Sequence, residues 1–273
     1  MQKTKIDWTD ESWNPVSGCI HNCPYCYARG IAKRFGGQHV QGIKPIDSFG
    51  GNNVHDFDWI FDIAEPLKIK RKRSANNPYT GLVNAPFPYG FCPTFHRYRL
   101  DQPQHKKKPQ NIFVGSMADL FGEWVPDEWI ETVFKACEKA PQHRYLFLTK
   151  NGKRYEKYIQ REMPSNFWFG QTITEHNPEA SQVYVGKDWN TFTSLEPLLG
   201  DFPYFNASYT QWVIIGAETG DRKGKVIPKR EWIENIVNRC RLHKVPVFMK
   251  DSLADIWREP LIQEYPWKEG ERE

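Results

Sequence analysis

Six continuous apolar runs, each closing on polar or small residues, set the tightest limit on how this chain folds. They are Asn111-Ile112-Phe113-Val114-Gly115-Ser116-Met117-Ala118-Asp119, Tyr145-Leu146-Phe147-Leu148-Thr149-Lys150, Phe167-Trp168-Phe169-Gly170-Gln171-Thr172, Thr191-Phe192-Thr193-Ser194-Leu195-Glu196-Pro197, Trp212-Val213-Ile214-Ile215-Gly216-Ala217-Glu218 and Val245-Pro246-Val247-Phe248-Met249-Lys250-Asp251. A strand with one wet face alternates apolar with polar. Runs apolar at consecutive positions suit strands buried on both faces, as in a parallel sheet covered by helices. Helical spacing follows two of the runs, at Trp129–Cys137 and Trp232–Cys240. Pro126 and Pro228 suit helix starts, and Asp127 stands where it would cap its helix. Strand–helix repetition implies right-handed crossovers and an α/β barrel or open sheet. One such unit accommodates all 273 residues, 1–273.

In parallel barrels the reactive face lies at the carboxyl ends of the strands. The residues at those ends are Ser116, Asp119, Lys150, Gln171, Thr172, Ser194, Glu196, Glu218, Lys250 and Asp251. Lys150 and Lys250 can bind a carboxylate or phosphate as point charges. Glu196 and Glu218 can hold ribose hydroxyls or move protons. For each of the four, an ion pair across the barrel mouth is an equally open reading. The catalytic candidates are Lys150, Glu196 and Lys250.

A second feature points to chemistry. Cys19, Cys23 and Cys26 form C-x3-C-x2-C within Gly18-Cys19-Ile20-His21-Asn22-Cys23-Pro24-Tyr25-Cys26-Tyr27. Three thiolates from one loop leave one iron of a four-iron cluster without a protein ligand, open to a small molecule. Zinc completed by His21 or by a distant residue satisfies the same pattern. The remaining cysteines have another use: Cys137 and Cys240 continue buried helical stripes, and Cys92 reads as a packing residue. The eight histidines form no H-x-x-x-H spacing, and no phosphate-cradling glycine motif or serine or cysteine triad signature is present.

C-x3-C-x2-C with Tyr25 before the last cysteine resembles the signature of the radical S-adenosylmethionine (radical SAM) superfamily. The resemblance implies a partial parallel (β/α) barrel with the cluster loop after the first strand, around Lys5-Ile6-Asp7-Trp8 or Trp13. It further implies a 4Fe-4S cluster on Cys19, Cys23 and Cys26, and S-adenosyl-L-methionine as cofactor. The implied activity is reductive cleavage of that cofactor to abstract hydrogen from a substrate, fed by an external electron donor. Tyr25 would stand near the adenine. Ser116, Asp119, Gln171, Ser194 and Glu218 are the further cofactor-binding candidates. The family commonly carries Gly-Gly-Glu after its second strand, whereas this chain has Gly115-Ser116-Met117, and its nearest imitation is Gly216-Ala217-Glu218. Either Ser116 and Asp119 take over the amine contact or the cofactor is held differently; a barrel that keeps the cluster without the cofactor is a third reading. Trp13–Cys19, Phe113–Phe121, Leu148–Lys150, Ser194–Leu199 and Trp212–Glu218 also resemble an uncharacterised phage-associated family at the edge of that superfamily.

Between the cysteine loop and Asn111 lies a long insertion, about 36–110, with little strand or helix pattern, and loops of that length tend to be functional. It carries Lys68-Ile69-Lys70-Arg71-Lys72-Arg73 and His105-Lys106-Lys107-Lys108, interleaved with Tyr79, Phe87, Tyr89 and Tyr98. Basic runs with aromatics can neutralise phosphates and stack on bases. Nucleic acid is therefore an expected partner or substrate, against a solvated surface arm, since the net charge is only +4. A non-catalytic nucleic-acid-binding protein with structural zinc or an inert cluster is the alternative to the enzyme. No apolar run is long enough to cross a bilayer, and no leader pattern opens the chain, so a cytoplasmic protein with reduced thiols is expected.

Overall fold

The computed structural model describes residues 1–36, 60–70, 81–174, 182, 184–186 and 188–267. The strands are β1 (Gln2–Lys3), β2 (Glu11–Trp13), β3 (Val16–Ser17), β4 (Phe61–Ile63), β5 (Lys68–Lys70), β6 (Leu82–Asn84), β7 (Thr94–His96), β8 (Asn111–Val114), β9 (Arg144–Thr149), β10 (Phe167–Thr172), β11 (Asn190–Leu195), β12 (Val213–Ile215) and β13 (Val247–Met249). The helices are α1 (Tyr27–Phe35), α2 (Asp127–Glu138), α3 (Arg230–Leu242) and α4 (Ala254–Trp257), with short 3-10 turns between. Seven strands run parallel in the order β2-β8-β9-β10-β11-β12-β13, and β1 adds antiparallel to the β2 edge. The sheet curls into a half-barrel, the α/β partial barrel expected. The first parallel strand is Glu11–Trp13; Lys5–Trp8 forms no strand and instead sends Trp8 into the interior.

Side chains alternate between two faces, because successive Cβ atoms on a strand point opposite ways. The outer face is apolar and meets the helices. Ile112, Val114, Tyr145, Phe147, Phe167 and Phe169 pack with Trp129, Ile130, Val133 and Phe134 of α2. Leu195, Val213, Ile215, Val247 and Met249 pack with Ile233, Ile236 and Val237 of α3. Cys137 and Cys240 are fully buried in these two layers, as expected, and Cys92 is a buried free thiol. Asp127 is the first helical residue rather than the cap. Pro126 holds the cap position, and the Asp127 carboxylate instead receives Arg154 and Tyr158 (Oη at 3.1 Å).

The inner face is filled low down by apolar side chains, the aromatics Phe113, Trp168, Phe192 and Phe248 with Leu146 and Ile214 from the strands, closed by Trp8 and Trp267 from either end of the chain. Gly170 makes room for this plug, since a Cβ there would lie 2.3 Å from the Phe192 ring. Toward the carboxyl ends the same inner register passes through Leu148 to Lys150, to Thr172, to Ser194 and Glu196, to Glu218, and to Lys250. The floor of the half-barrel is apolar and rich in aromatics, and its mouth is polar.

The insertion is more ordered than its sequence suggested. Among the described residues it contains the β5–β6 hairpin and strands β4 and β7, which join β3 from before the cysteine loop in a small sheet of order β3-β7-β4. Arg97 clamps Asp62 through two nitrogens, fastening β4 to the turn after β7. No helix among the described residues is long and apolar enough to cross a membrane.

Candidate active site

The cysteine loop is fixed from two sides. Gly18 N–H donates to Met117 O (2.9 Å), and Cys19 N–H donates to Phe91 O (3.2 Å). Gly18 has φ +87°, and a Cβ there would sit 2.2 Å from the Cys92 carbonyl oxygen, so only glycine lets the chain pass between these strands. Behind it, Ser17 shares a 2.7 Å hydrogen bond with the fully buried His96, whose imidazole burial and then Arg99 push down to about 3. That imidazole is neutral at physiological pH and acts as a peg between β3 and β7.

Cys26 caps α1, its sulfur accepting from Arg29 N–H at 3.4 Å. Cys19 and Cys23 are set by their burial. Burial, and then the Asp119 carboxylate, push the Cys19 thiol far up, with the His21 backbone N–H opposing and Cys23 and Cys26 adding. Burial also raises Cys23, against the pull of Lys150.

The three cysteines open into one cavity of about 210 Å³ at the carboxyl ends of the strands. Of the expected residues, Tyr25, Ser116, Asp119, Lys150, Thr172, Ser194, Glu196, Glu218 and Lys250 all line it. Trp8, Phe113 and Leu148 form its apolar base. Gln171 does not belong to it. It points to the outer face, against the Gly152 turn and in a small crevice with Gln182 and Tyr209. The reason is register: Trp168, Gly170 and Thr172 face inward, so the residue between the last two faces out. Thr172 holds the place on β10 assigned to Gln171.

The charges at the mouth are mostly paired. Glu196 and Lys250, at the ends of β11 and β13, meet over Gly216, where a Cβ would lie 3.0–3.1 Å from both side chains. Arg222 grips Glu218 with two nitrogens (2.6 and 2.7 Å); that pairing, against burial, holds the carboxyl below its usual range. Lys150 has no carboxylate partner among the described residues. Its Nζ lies 3.3 Å from Tyr25 Oη and 5.3 Å from the centre of that ring. Ser116 is bonded to Asn14, whose Oδ1 also accepts Met117 N–H.

Asp119 is a fastening rather than an open cofactor contact. His21 Nε2 donates to Oδ2 at 2.7 Å, Lys150 N–H donates to the same oxygen at 2.8 Å, and Phe121 N–H donates to Oδ1 at 3.0 Å. Burial alone would raise its pKa; these bonds and the His21 ring reverse that and hold it below the ordinary value. Trp124 packs edge-on against the His21 ring, 4.8 Å between centres. His21 thus engages Asp119 within the cysteine loop. Sequence gave Asp119 a place at a strand end, but a partner 98 residues away in the chain is invisible to spacing.

The donor set suits a thiolate-held group: three cysteines, one cavity, one sulfur on a helix N-terminus. Among the described residues no three His, Cys, Asp or Glu side chains stand gathered in metal-holding geometry. Gathering Cys19 and Cys23 around a metal requires both to lose protons, which ties loading to pH.

The basic runs lie elsewhere. Lys106 pairs with Glu11, the first residue of β2, at 2.6 Å, and its carbonyl accepts from Gln142 Nε2 at 2.8 Å just before β9, so the His105–Lys108 run lies at the amino ends of the strands, remote from the cavity. Lys68–Lys70 forms β5; Arg71, Lys72, Arg73 and Tyr79 lie outside the described residues. Phe87 is buried against α1, Tyr89 stacks on Phe61 at 3.7 Å, and Tyr98 bonds to His96 and Arg99. These three aromatics are committed within the fold.

No curated protein matches the sequence. A solved structure, a cysteine-to-serine mutant of spore photoproduct lyase, is similar with a TM-score of 0.42 and 10% identity, covering 94% of this chain and 78% of that one. A family profile described as a protein of unknown function (DUF5131) matches residues 3–259, and the chain belongs to that family.

Proposed function

We propose that this protein is an iron–sulfur enzyme of the radical SAM kind. Cys19, Cys23 and Cys26 would hold a 4Fe-4S cluster at the mouth of the half-barrel, with S-adenosyl-L-methionine beside it. One observation carries the reading: the three thiols of the C-x3-C-x2-C loop line the same cavity as the inward-facing polar residues that end the parallel strands. When bound, the cluster supplies one-electron chemistry, with reductive cleavage of the cofactor and hydrogen abstraction from substrate. The rest is the work of the chain. Lys150, without a carboxylate partner among the described residues, is placed to receive an anionic group, and Tyr25 beside it offers a ring face and a hydroxyl. Glu196 and Lys250 fix each other over Gly216 and present polar atoms to the cavity from opposite sides of β12. Glu218, held ionised by Arg222, and Ser194 provide acceptors. Trp8 and the aromatic floor exclude water from below, which strengthens every electrostatic contact above it.

Anaerobic purification with iron and sulfide analysis, followed by electron paramagnetic resonance of the reduced protein with and without S-adenosyl-L-methionine, tests the proposal. Four irons per chain and a signal altered by the cofactor are expected, lost in Cys23→Ala and kept in Cys137→Ala. Stoichiometric zinc and no iron after reconstitution would overturn it in favour of a non-catalytic metal protein.

A further inference from the structure

The tie between His21 and Asp119 reaches the interval between the first two cysteines, and His21 is the only histidine that lines the cavity among the described residues. The tie joins three things. Asp119 belongs to the turn after β8, His21 belongs to the cysteine loop, and Lys150, whose N–H shares the same carboxylate oxygen, ends β9. Asp119 is 5% exposed, and Trp124 backs the His21 ring, so the ring has little room to turn. Asp119 and Cys19 line the same cavity, and a backbone bridge joins Gly18 to Ala118 beside them. A buried carboxylate close to one thiol is electrostatically adverse for any thiolate there, and a hydrogen-bonded histidine offsets it. Reduction potentials of thiolate-held clusters respond to nearby charge and to N–H donors on the sulfurs.

We infer that Asp119 and His21 are positioning residues that set the reduction potential of the group held by the cysteine loop: the carboxylate lowers it, and His21 moderates the carboxylate. This rests on the iron–sulfur reading above. The two residues act in opposite directions, which a mere loosening of the loop would not produce. Asp119→Asn removes a buried negative charge and shifts the midpoint potential to more positive values. His21→Phe keeps a ring against Trp124 but leaves the carboxylate less compensated, and shifts the potential to more negative values.

The experiment is a redox titration, followed by electron paramagnetic resonance, of reconstituted wild type, Asp119→Asn and His21→Phe, each checked for folding by circular dichroism and for iron and sulfide content. Opposite shifts at wild-type iron content are the expected result. Wild-type potentials in both fully loaded variants, or shifts of the same sign, overturn the inference and leave the enzyme reading intact. A wild type that takes up no iron overturns both. Should Asp119→Asn fail to fold because its amide opposes the donors now facing the carboxylate, His21→Phe decides alone: its side chain is 23% exposed and tolerates exchange, and an unchanged potential then refutes the role.

Discussion

Gly18→Ala is the most exacting test of how the cysteine loop is built. At φ +87° a residue with a Cβ sits in left-handed backbone, at a cost of about 1–3 kcal/mol. The new methyl would also lie 2.2 Å from Cys92 O, 2.4 Å from Cys92 C and 2.6 Å from Phe91 O. All three are backbone atoms with no rotamer to yield, and overpacking of that kind costs about 1–3 kcal/mol. Together the loss is about 2–6 kcal/mol, or a fall in Tm of at least about 4 °C for a chain of this size. The strain has a second outlet. The chain can release it by giving up Gly18 N–H to Met117 O and Cys19 N–H to Phe91 O, which would free the loop without unfolding the barrel. Thermal melting and iron uptake therefore have to be read together: the substitution lowers Tm, or spares Tm and abolishes loading. A variant that melts within about 1 °C of wild type and loads iron fully would show that Gly18 is not held as described.

Other outcomes follow from the same geometry. In metal-free protein, Cys19 and Cys23 should resist alkylation at about pH 8.5, where a free thiol is half ionised, because burial raises both; mass spectrometry of labelled peptides would count against this if they reacted as fast as a free cysteine. Iron uptake should accelerate as pH rises, since both thiols must deprotonate. Gln171→Ala should leave iron content and the response to S-adenosyl-L-methionine unchanged while Thr172→Val alters the response; the reverse result would place β10 in the other register. The Glu218 pKa is lowered on folding, so its contribution is present above the usual carboxylate value of about 4.3 and is lost as pH falls through the lower folded value. Arg222→Met removes the largest lowering cause and leaves the Val226 N–H and Lys225 against burial, so Tm should fall less steeply from pH 5 to 3 than in wild type, and equal slopes would argue against the pairing.

Much of this was legible in the sequence, for reasons that also explain what was not. The apolar runs from Asn111 to Met249 announced a parallel sheet because both faces of each strand are covered, and Cys137 and Cys240 announced themselves by helical spacing. β2 did not, being three residues long with Glu11 and Ser12 in it. Lys150, Glu196, Glu218 and Lys250 could be assigned to one mouth because they end strands. The choice of Gln171 over Thr172 failed on a single residue of register, though Trp168 and Gly170 already mark the inner face. His105–Lys108 could not be placed from charge alone, since nothing in a basic run says which end of a barrel it covers. The bond from His21 to Asp119 depends on the curl of the sheet and leaves no local pattern.

The indoles beneath the cavity have a practical consequence. Trp212 lies 6.1 Å from Trp8 and 5.2 Å from Trp267, and Trp168 lies 5.6 Å from Trp267, centre to centre, all in asymmetric, tightly held orientations. Such a group of chromophores couples its transitions, so near-ultraviolet dichroism and emission carry an optical signature of the closed floor. The cysteine loop sits at the other end of the strands. Loss of that coupled signature therefore reports opening of the floor, whatever happens to the single Trp124 beside the cysteine loop.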